Sequence, residues 1–358
     1  MSPSSPQNNE TEISELGEFG LIDRLTRSFT NRRGSTRYGH GDDAAVLDFE
    51  GLLPLVSTDM FTEGVHFDFT YTPLKHLGYK CVVATISDIL AMNGIPEQVL
   101  VSMALSSRFT VEMLDTIYAG IQEACHQYDV DLVGGDTVSA RGGLTLSLTA
   151  LGSVAKGQEV YRTGLQENQL LCVTGDLGGA YMGLQLLERE KHVFKKNPDV
   201  QPQLEGYPYI LQRQLRPEVR LDVIEYFTQE DILPTAMIDI SDGLASELLH
   251  LSRQSAKGVR IFEDKLPIAD ETRRAAREFH LDPTMCALNG GEDYELLFAL
   301  PVYMKDLVTN NPDITSIGYV TPQTDGCRIV SRNGNEHELV AQGWQAFQNP
   351  DRGSSLEG

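Results

Sequence analysis

The sequence predicts an α+β protein of two domains, and three observations carry that expectation. The chain has 358 residues, enough for two or three domains at roughly 150 residues each. Helical and strand patterns alternate along it, mixed over about residues 35–155 and resuming for about 190 residues beyond. Between these stretches lies VAKGQEVYRTGLQEN, polar and turn-rich, which is the expected boundary. On this division residues 1–14 are an arm, 15–155 an N-terminal domain, 156–348 a C-terminal α/β domain and 349–358 a tail.

The elements follow from periodicity. Leu16, Phe19, Ile22, Leu25 and Phe29 recur every three to four residues and mark an opening helix. AAVLDF and LLPLVSTD are short apolar runs, read as strands that end in acids. Leu77, Cys81, Val82, Ile86 and Ile89 place a long helix over 74–92, followed by the strand VLVSMAL. Met113, Leu114, Ile117, Ile121 and Cys125 mark another helix, and LTLSLTALGSV a long strand. Past the boundary, LLCVTGD is a strand, 181–190 a helix and HVFKKNPDVQPQLEGYP an exposed loop. A helix over 216–227 would carry Pro217 in its first turn, where proline is tolerated. AMIDIS, VRIFE, YELLFAL, SIGYV and CRIVS read as strands, GLASELLHLSRQ and ADETRRAAREF as helices. The ends, MSPSSPQNNETE and DRGSSLEG, are polar and aperiodic and read as disordered.

Charge narrows the function. Against 29 Lys+Arg stand 51 Asp+Glu, a net −22. Such a polyanion is unsuited to nucleic acid or an anionic membrane, since both need excess positive charge. If it handles phosphates, it needs metal ions to do so. No apolar run approaches the ~18 residues of a membrane span, and no signal peptide opens the chain, so cytoplasm is expected. Five widely spaced cysteines without a CxxC pair read as buried reduced thiols and exclude structural zinc.

The carboxylates recur in short clusters beside Gly, Ser or Thr: GHGDDAA, VSTDMFTEGVHF, ISDILAMNG, LVGGDT, IDISDG and NGGEDYEL. A solvated acidic face would instead pair its acids with Lys or Arg at helical spacing. Here basic neighbours are nearly absent, and a partly buried carboxylate without a cation is costly. Oxygen ligands without cysteine point to a hard ion, Mg²⁺ or Mn²⁺, which takes one or two carboxylates and completes its shell with water and phosphate. Six clusters therefore point to several ions around a polyphosphate. No P-loop and no GxGxxG is present. TGDLGGA fits helix packing better than phosphate cradling. His40 and His66 could be ligands or bases, and His66, inside VSTDMFTEGVHF, is the one taken as a site residue. Arg162, in VYRTG, suits a bidentate phosphate contact or is a surface arginine. Trp344 is a core plug or a stacking platform.

GEFGLIDRL, GDDAAV, STDMFTEGVHF, ISDILAMNG, LVGGDT, YRTG, LRP, IDISDGL and GGEDYEL appear in that order. Together they resemble the thiamine-monophosphate kinase family, in the superfamily of aminoimidazole ribonucleotide synthetase and selenophosphate synthetase. The resemblance spans about residues 17–347. It implies the two-domain superfamily fold: an N-terminal α/β domain that forms a dimeric β-barrel-like interface, and a C-terminal α/β sandwich domain. It implies ATP-dependent phosphorylation of thiamine monophosphate to thiamine diphosphate, the last step of thiamine diphosphate biosynthesis, in a homodimer. By motif, Asp43, Ser57, Thr58, Asp59, Asp88, Asp136, Asp239 and Asp242 resemble the magnesium positions. Tyr118, Gly135, Asp136, Arg162 and Ser241 resemble ATP contacts. His66, Glu292 and Trp344 resemble positions that line the thiamine phosphate site. Asp136, Asp242 and Arg162 are expected to carry catalysis.

The acceptor in that reaction is a phosphate monoester with a second pKa of about 6, so it needs little help from a base. Bringing two polyanions together is the difficulty, which explains many carboxylates and one arginine. Other readings remain. Selenophosphate synthetase expects a reactive cysteine near the N-terminus, whereas the first here is Cys81, and the hydrogenase-maturation relative expects a C-terminal one. A metal-dependent phosphohydrolase would release phosphate without an acceptor, and a nucleotide sensor would not turn over.

Overall fold

The structure is a computed structural model that describes residues 21, 24–38 and 46–343. The arm, the tail, Asp43 and Trp344 lie outside the described residues, as do the GDDAAV segment up to Ala45 and most of GEFGLIDRL. Of the opening helix, Leu21 and residues 24–26 are described and helical.

After a short pair, β1 (Thr36–Tyr38) and β2 (Val46–Leu47), the chain builds a four-stranded sheet. Its strands are β3 (Leu53–Thr62), β4 (Ile95–Leu105), β5 (Asp131–Ser139) and β6 (Leu144–Val154), in spatial order β3-β6-β4-β5. Within one chain this sheet is open. Helices α1 (Leu74–Ala91) and α2 (Val111–Gln127) cover one face. The two helices approach closely because Gly78 and Gly120 lack side chains. A Cβ at Gly78 would stand 2.0 Å from the Ile117 carbonyl oxygen, and one at Gly120 1.8 Å from that of Lys75.

The second half carries a seven-stranded sheet in order β13-β12-β9-β11-β7-β10-β8. Its strands are β7 (Leu170–Thr174), β8 (Ala236–Ile240), β9 (Gly258–Phe262), β10 (Glu295–Leu300), β11 (Ile314–Thr321), β12 (Cys327–Val330) and β13 (Glu336–Glu338). All its neighbours pair antiparallel except β9 with β12. Helices α3 (Gly179–Lys196), α4 (Pro208–Leu215), α5 (Leu221–Gln229), α6 (Leu244–Ser255), α7 (Asp270–Glu278), α8 (Pro283–Asn289) and α9 (Lys305–Asn310) surround it. The mixed α+β class and the long elements of the first half therefore stand as expected.

One helix differs for a clear reason. The helix expected over 216–227 starts later, as α5 at Leu221; α4 ends at Leu215, before that span, and Pro217 lies between the two. Proline disfavours helical geometry in the residue before it, and Arg216 indeed leaves the helix at φ −140°. Pro217 is a stop, not a start. The loop expected after residue 190 begins later, since α3 continues to Lys196. All five cysteines are free, four of them buried. No helix among the described residues is long and apolar enough to cross a membrane.

Helix α1 joins the halves. It packs on β3, β4 and β6 on one side, on α2 on another and on β8 of the second sheet. Residues 77–87 are buried without a break, as expected of a helix covered all round. Ile86, with no exposed surface, sits at its centre. Replacing it with alanine should cost about 2–5 kcal/mol through lost burial and the cavity left behind, read as a lowered denaturation midpoint. An unchanged midpoint would show that α1 is not the shared core element.

Candidate active site

Three segments distant in sequence meet where α1 crosses between the sheets. Strand alternation in β3 turns Ser57 and Asp59 toward α1 and leaves Thr58 and Met60 on the opposite, outer face. Helix α1 presents Ser87 and Asp88 side by side. The Ser57 hydroxyl donates to Asp88, and the Ser87 hydroxyl donates to Asp239 Oδ2 at 2.8 Å. Asp239 stands in β8, the edge strand nearest α1, and the chain then turns through Ser241 and Asp242 into α6. That turn needs Gly243. Its φ is +112°, and a Cβ there would come within 2.9 Å of the Leu288 carbonyl oxygen.

The result is a cavity of about 790 Å³. Its polar lining includes Asp59, His66, Asp88, Asp239, Ser241, Asp242 and Glu292. Phe61, Tyr71, Tyr181, Leu184, Leu281, Met285, Cys286 and Tyr294 supply an aromatic and apolar lining. The carboxylates feel one another. Burial, then the neighbouring Asp88, pushes Asp59 up to about 6. Burial and Asp88 also raise Asp239, against the Ser87 hydroxyl and the field of Arg162. Asp242 is raised by burial, with His250 and Arg162 opposing. Behind them Glu247 is pushed by burial to about 8, although it accepts the Asp242 N–H at 3.0 Å. Among the described residues, Asp59, Asp88, Asp239 and Asp242 make no ion pair with Lys or Arg. An arrangement of this kind favours added cations or protons.

Residues 41–154 match the family described as AIR synthase related protein, N-terminal domain. The thiamine-monophosphate kinase of Bacillus subtilis (strain 168) is 34% identical over 342 residues, covering 93% of this chain and 100% of that protein. The chain belongs to the thiamine-monophosphate kinase family. The solved thiamine-monophosphate kinase from Stenotrophomonas maltophilia K279a has a TM-score of 0.76 at 30% identity, covering 91% of this chain and 98% of its own. A solved structure described as "AaThiL complexed with AMPPCP and TMP" has a TM-score of 0.71 at 29% identity, with 95% and 100% coverage.

In this member of the family the fold gathers His66, Asp59, Asp88, Asp239, Ser241, Asp242 and Glu292 around one cavity, with Ser57 bonded to its wall. It places other expected residues elsewhere. Thr58 lies on the outer sheet face, its hydroxyl donating to the Leu148 carbonyl at 2.9 Å. Asp136 stands in the cross-strand row Met60–Ser147–Ser102–Asp136, exposed on that same outer face. Gly135 serves close strand packing, since a Cβ there would meet the Val101 carbonyl oxygen at 1.9 Å. Tyr118 is buried in α2, edge-on to Phe29 with ring centroids 6.3 Å apart, and burial raises its hydroxyl. Arg162 is exposed and absent from the cavity lining, although its field reaches Asp239, Asp242 and Glu247.

The NGGEDYEL acids require a correction. They do have cations, supplied from far along the chain. Lys80 pairs with Glu292 at 2.9 Å, Arg213 with Glu295 at 3.0 Å and Arg220 with Glu295 at 3.4 Å. Asp293 accepts the Gly178 N–H at 2.7 Å and the Ala180 N–H at 3.3 Å, so it caps α3. The TGDLGGA turn is thus closed by the protein's own carboxylate, which fits helix packing. Sequence reasoning missed Gln214, Tyr71, Tyr294 and Glu247. Two of these left a local signal: Tyr294 lies within the NGGEDYEL motif, and Glu247 lies one helical turn after IDISDG.

A raised carboxyl pKa means the folded state binds protons more tightly than the unfolded chain. Asp59 therefore costs no stability below its unfolded value near 4 and costs most once pH passes about 6. In chelator, Asp59→Asn should stabilise the protein by roughly 2 kcal/mol at pH 8 and leave stability unchanged at pH 3.5. Denaturant midpoints at the two pH values check this. A variant no more stable than the parent at pH 8 would show that the site does not strain this acid.

Proposed function

We propose that the protein transfers the γ-phosphoryl group of ATP to thiamine monophosphate, giving thiamine diphosphate and ADP. The single observation that carries the reading is the cavity. Four carboxylates without protein cations meet there beside an aromatic and apolar wall, in a chain whose relatives are named for this activity. The aromatic wall suits the organic part of the acceptor, and the acids suit the metal–phosphate part.

The donor set fits Mg²⁺. All four groups offer hard oxygen, and Asp59, Asp239 and Asp242 are raised by burial, with Asp88 adding to the first two, which favours an added cation. Among the described residues no three His, Cys, Asp or Glu side chains form a ready-made ligand group. Asp59, Asp88, Asp239 and Asp242 would therefore hold ions by one or two carboxylates each, the usual manner for magnesium. Bound Mg²⁺ supplies the charge neutralisation that lets two polyanions approach.

The chain's own groups position and donate. His66 Nδ1 accepts the Thr62 N–H at 3.0 Å, so in the neutral ring Nε2 carries the proton and is a donor. Among the described residues no carboxylate hydrogen-bonds to His66, and the acceptor phosphate needs no base. Arg162, whose field already reaches Asp239 and Asp242, is assigned to the ATP phosphates. Asp242, held by Glu247, is assigned to the transferring group. Transfer is direct, because the candidate nucleophiles are committed to other roles. The reaction draws on ATP, which places it in the cytoplasm.

A second copy completes the molecule in this reading. The outer sheet face exposes Val56 (66%), Met60 (61%) and Val138 (50%), and β5 leaves an open edge. We assign that face to a homodimer interface, matching the barrel-like pairing expected for the superfamily.

Four measurements test the proposal. ADP release in Mg²⁺ should require thiamine monophosphate, and γ-labelled ATP alone should leave the chain unlabelled. ADP without acceptor would instead favour the phosphohydrolase. Asp88→Asn should lower turnover at least about a hundredfold with the fold intact, and near-normal turnover would remove Asp88 from the site. Sedimentation should show a dimer that Val138→Glu dissociates. A parent species of 39.6 kDa at micromolar concentration would reject the interface.

A further inference from the structure

Lys80 is buried on α1, and its ammonium makes two contacts. It donates to the Gln214 carbonyl at 2.9 Å and pairs with Glu292 Oε1 at 2.9 Å. Gln214 Nε2 donates to the other oxygen, Glu292 Oε2, at 2.8 Å. The Glu292 carboxylate is therefore gripped at both oxygens, by α1 of the first half and by α4 of the second. Its backbone is equally constrained. Glu292 has φ +65°, a left-handed conformation uncommon for a side-chain-bearing residue, and its N–H donates to the Ser241 carbonyl at 2.8 Å.

This carboxylate differs from Asp59, Asp88, Asp239 and Asp242. Among the described residues those four make no ion pair with Lys or Arg, whereas Glu292 is already neutralised and bonded. A carboxylate in that state is a poor ligand for an added metal ion. It is a well-fixed hydrogen-bond acceptor for an organic group. Glu292 and Gln214 line the cavity and Lys80 does not, so any influence of Lys80 on a bound molecule passes through them.

We propose that Lys80 is a positioning residue: it locks the Glu292 carboxylate in the orientation in which it accepts a hydrogen bond from the organic portion of the phosphoryl acceptor, and so sets acceptor affinity apart from ATP affinity. This rests on the reading that the cavity binds thiamine monophosphate. Removing the ammonium frees one carboxylate oxygen and the Gln214 carbonyl together, and the acceptor then meets a mobile group whose ordering it must itself supply.

Steady-state kinetics in Mg²⁺ on the full chain test it, with K80M, K80R, E292Q and the double variant K80M/E292Q. K80M should raise KM for thiamine monophosphate at least tenfold while KM for ATP stays within about twofold. K80R, which keeps the cation, should recover most of that loss. The double variant should be no worse than E292Q alone, because both changes undo one contact. Should K80M fail to fold, K80Q replaces it, keeping a neutral donor on a shorter side chain. If E292Q raises the acceptor KM but K80M does not, the Lys80 assignment is wrong and the reading of the site stands. If E292Q leaves the acceptor KM unchanged, the reading of Glu292 has failed and the Lys80 inference falls with it. Equal damage to both KM values and to kcat, without recovery in K80R, would show a merely structural lysine.

Discussion

Mutual repulsion among carboxylates around one buried helix is the constraint on which this structure turns. Helix α1 must be apolar enough to be covered on all sides, yet it carries Ser87 and Asp88 to the point where both sheets converge. Asp59 and Asp239 arrive from opposite sheets and are pushed toward protonation by burial and by Asp88. Protein groups relieve this only in part, through the Ser57, Ser87 and Thr85 hydroxyls and the fields of Arg162 and His250. Stability and function therefore pull against each other here. The site is a cost to the empty fold, and a metal–phosphate ligand would convert that cost into binding.

The same fold treats a second group of acids in the opposite manner. Glu292, Asp293 and Glu295 are adjacent in sequence to glycines much like those of the other clusters, yet each finds a partner. Arg213 and Arg220, brought in by α4 and the segment before α5, pair with Glu295, and α3 lends its N-terminal amides to Asp293. Helix N-termini attract anions through unpaired N–H groups, so Asp293 is at home there. What separates the compensated acids from the uncompensated ones is the cation or helix N-terminus that the fold brings to them, not the residues beside them. Glu292 stands between the two groups, lining the cavity but held by Lys80.

The two faces of the four-stranded sheet divide the work along similar lines. Alternation along β3 sends Ser57 and Asp59 inward to α1 and Val56, Thr58 and Met60 outward. A single motif, VSTDM, thus turns Ser57 and Asp59 toward α1 and the rest outward, with Met60 also reaching the cavity lining. Asp136 follows the outer set through the ladder from Met60 to β5.

Much of this was determined by sequence alone. Periodicity fixes the long elements α1, α2 and β6 because burial of one face or of a whole run leaves a repeating apolar signature. Acids set beside glycine and serine, without local bases, marked the IDISDG, ISDILAMNG and VSTDM segments that line the cavity. Pro217 was visible too, but whether it starts or stops a helix depends on the residue before it as well as on the turn after it. Tertiary structure alone decided which acids are compensated, since Lys80, Arg213 and Arg220 lie from about 75 to more than 210 residues away from the acids they pair with. It also decided which side of a strand each expected ligand occupies, and that Tyr118 packs in the core. Periodicity reports that a face is buried, not what buries it, and charge pairing across a fold leaves no trace in the order of neighbours along the chain.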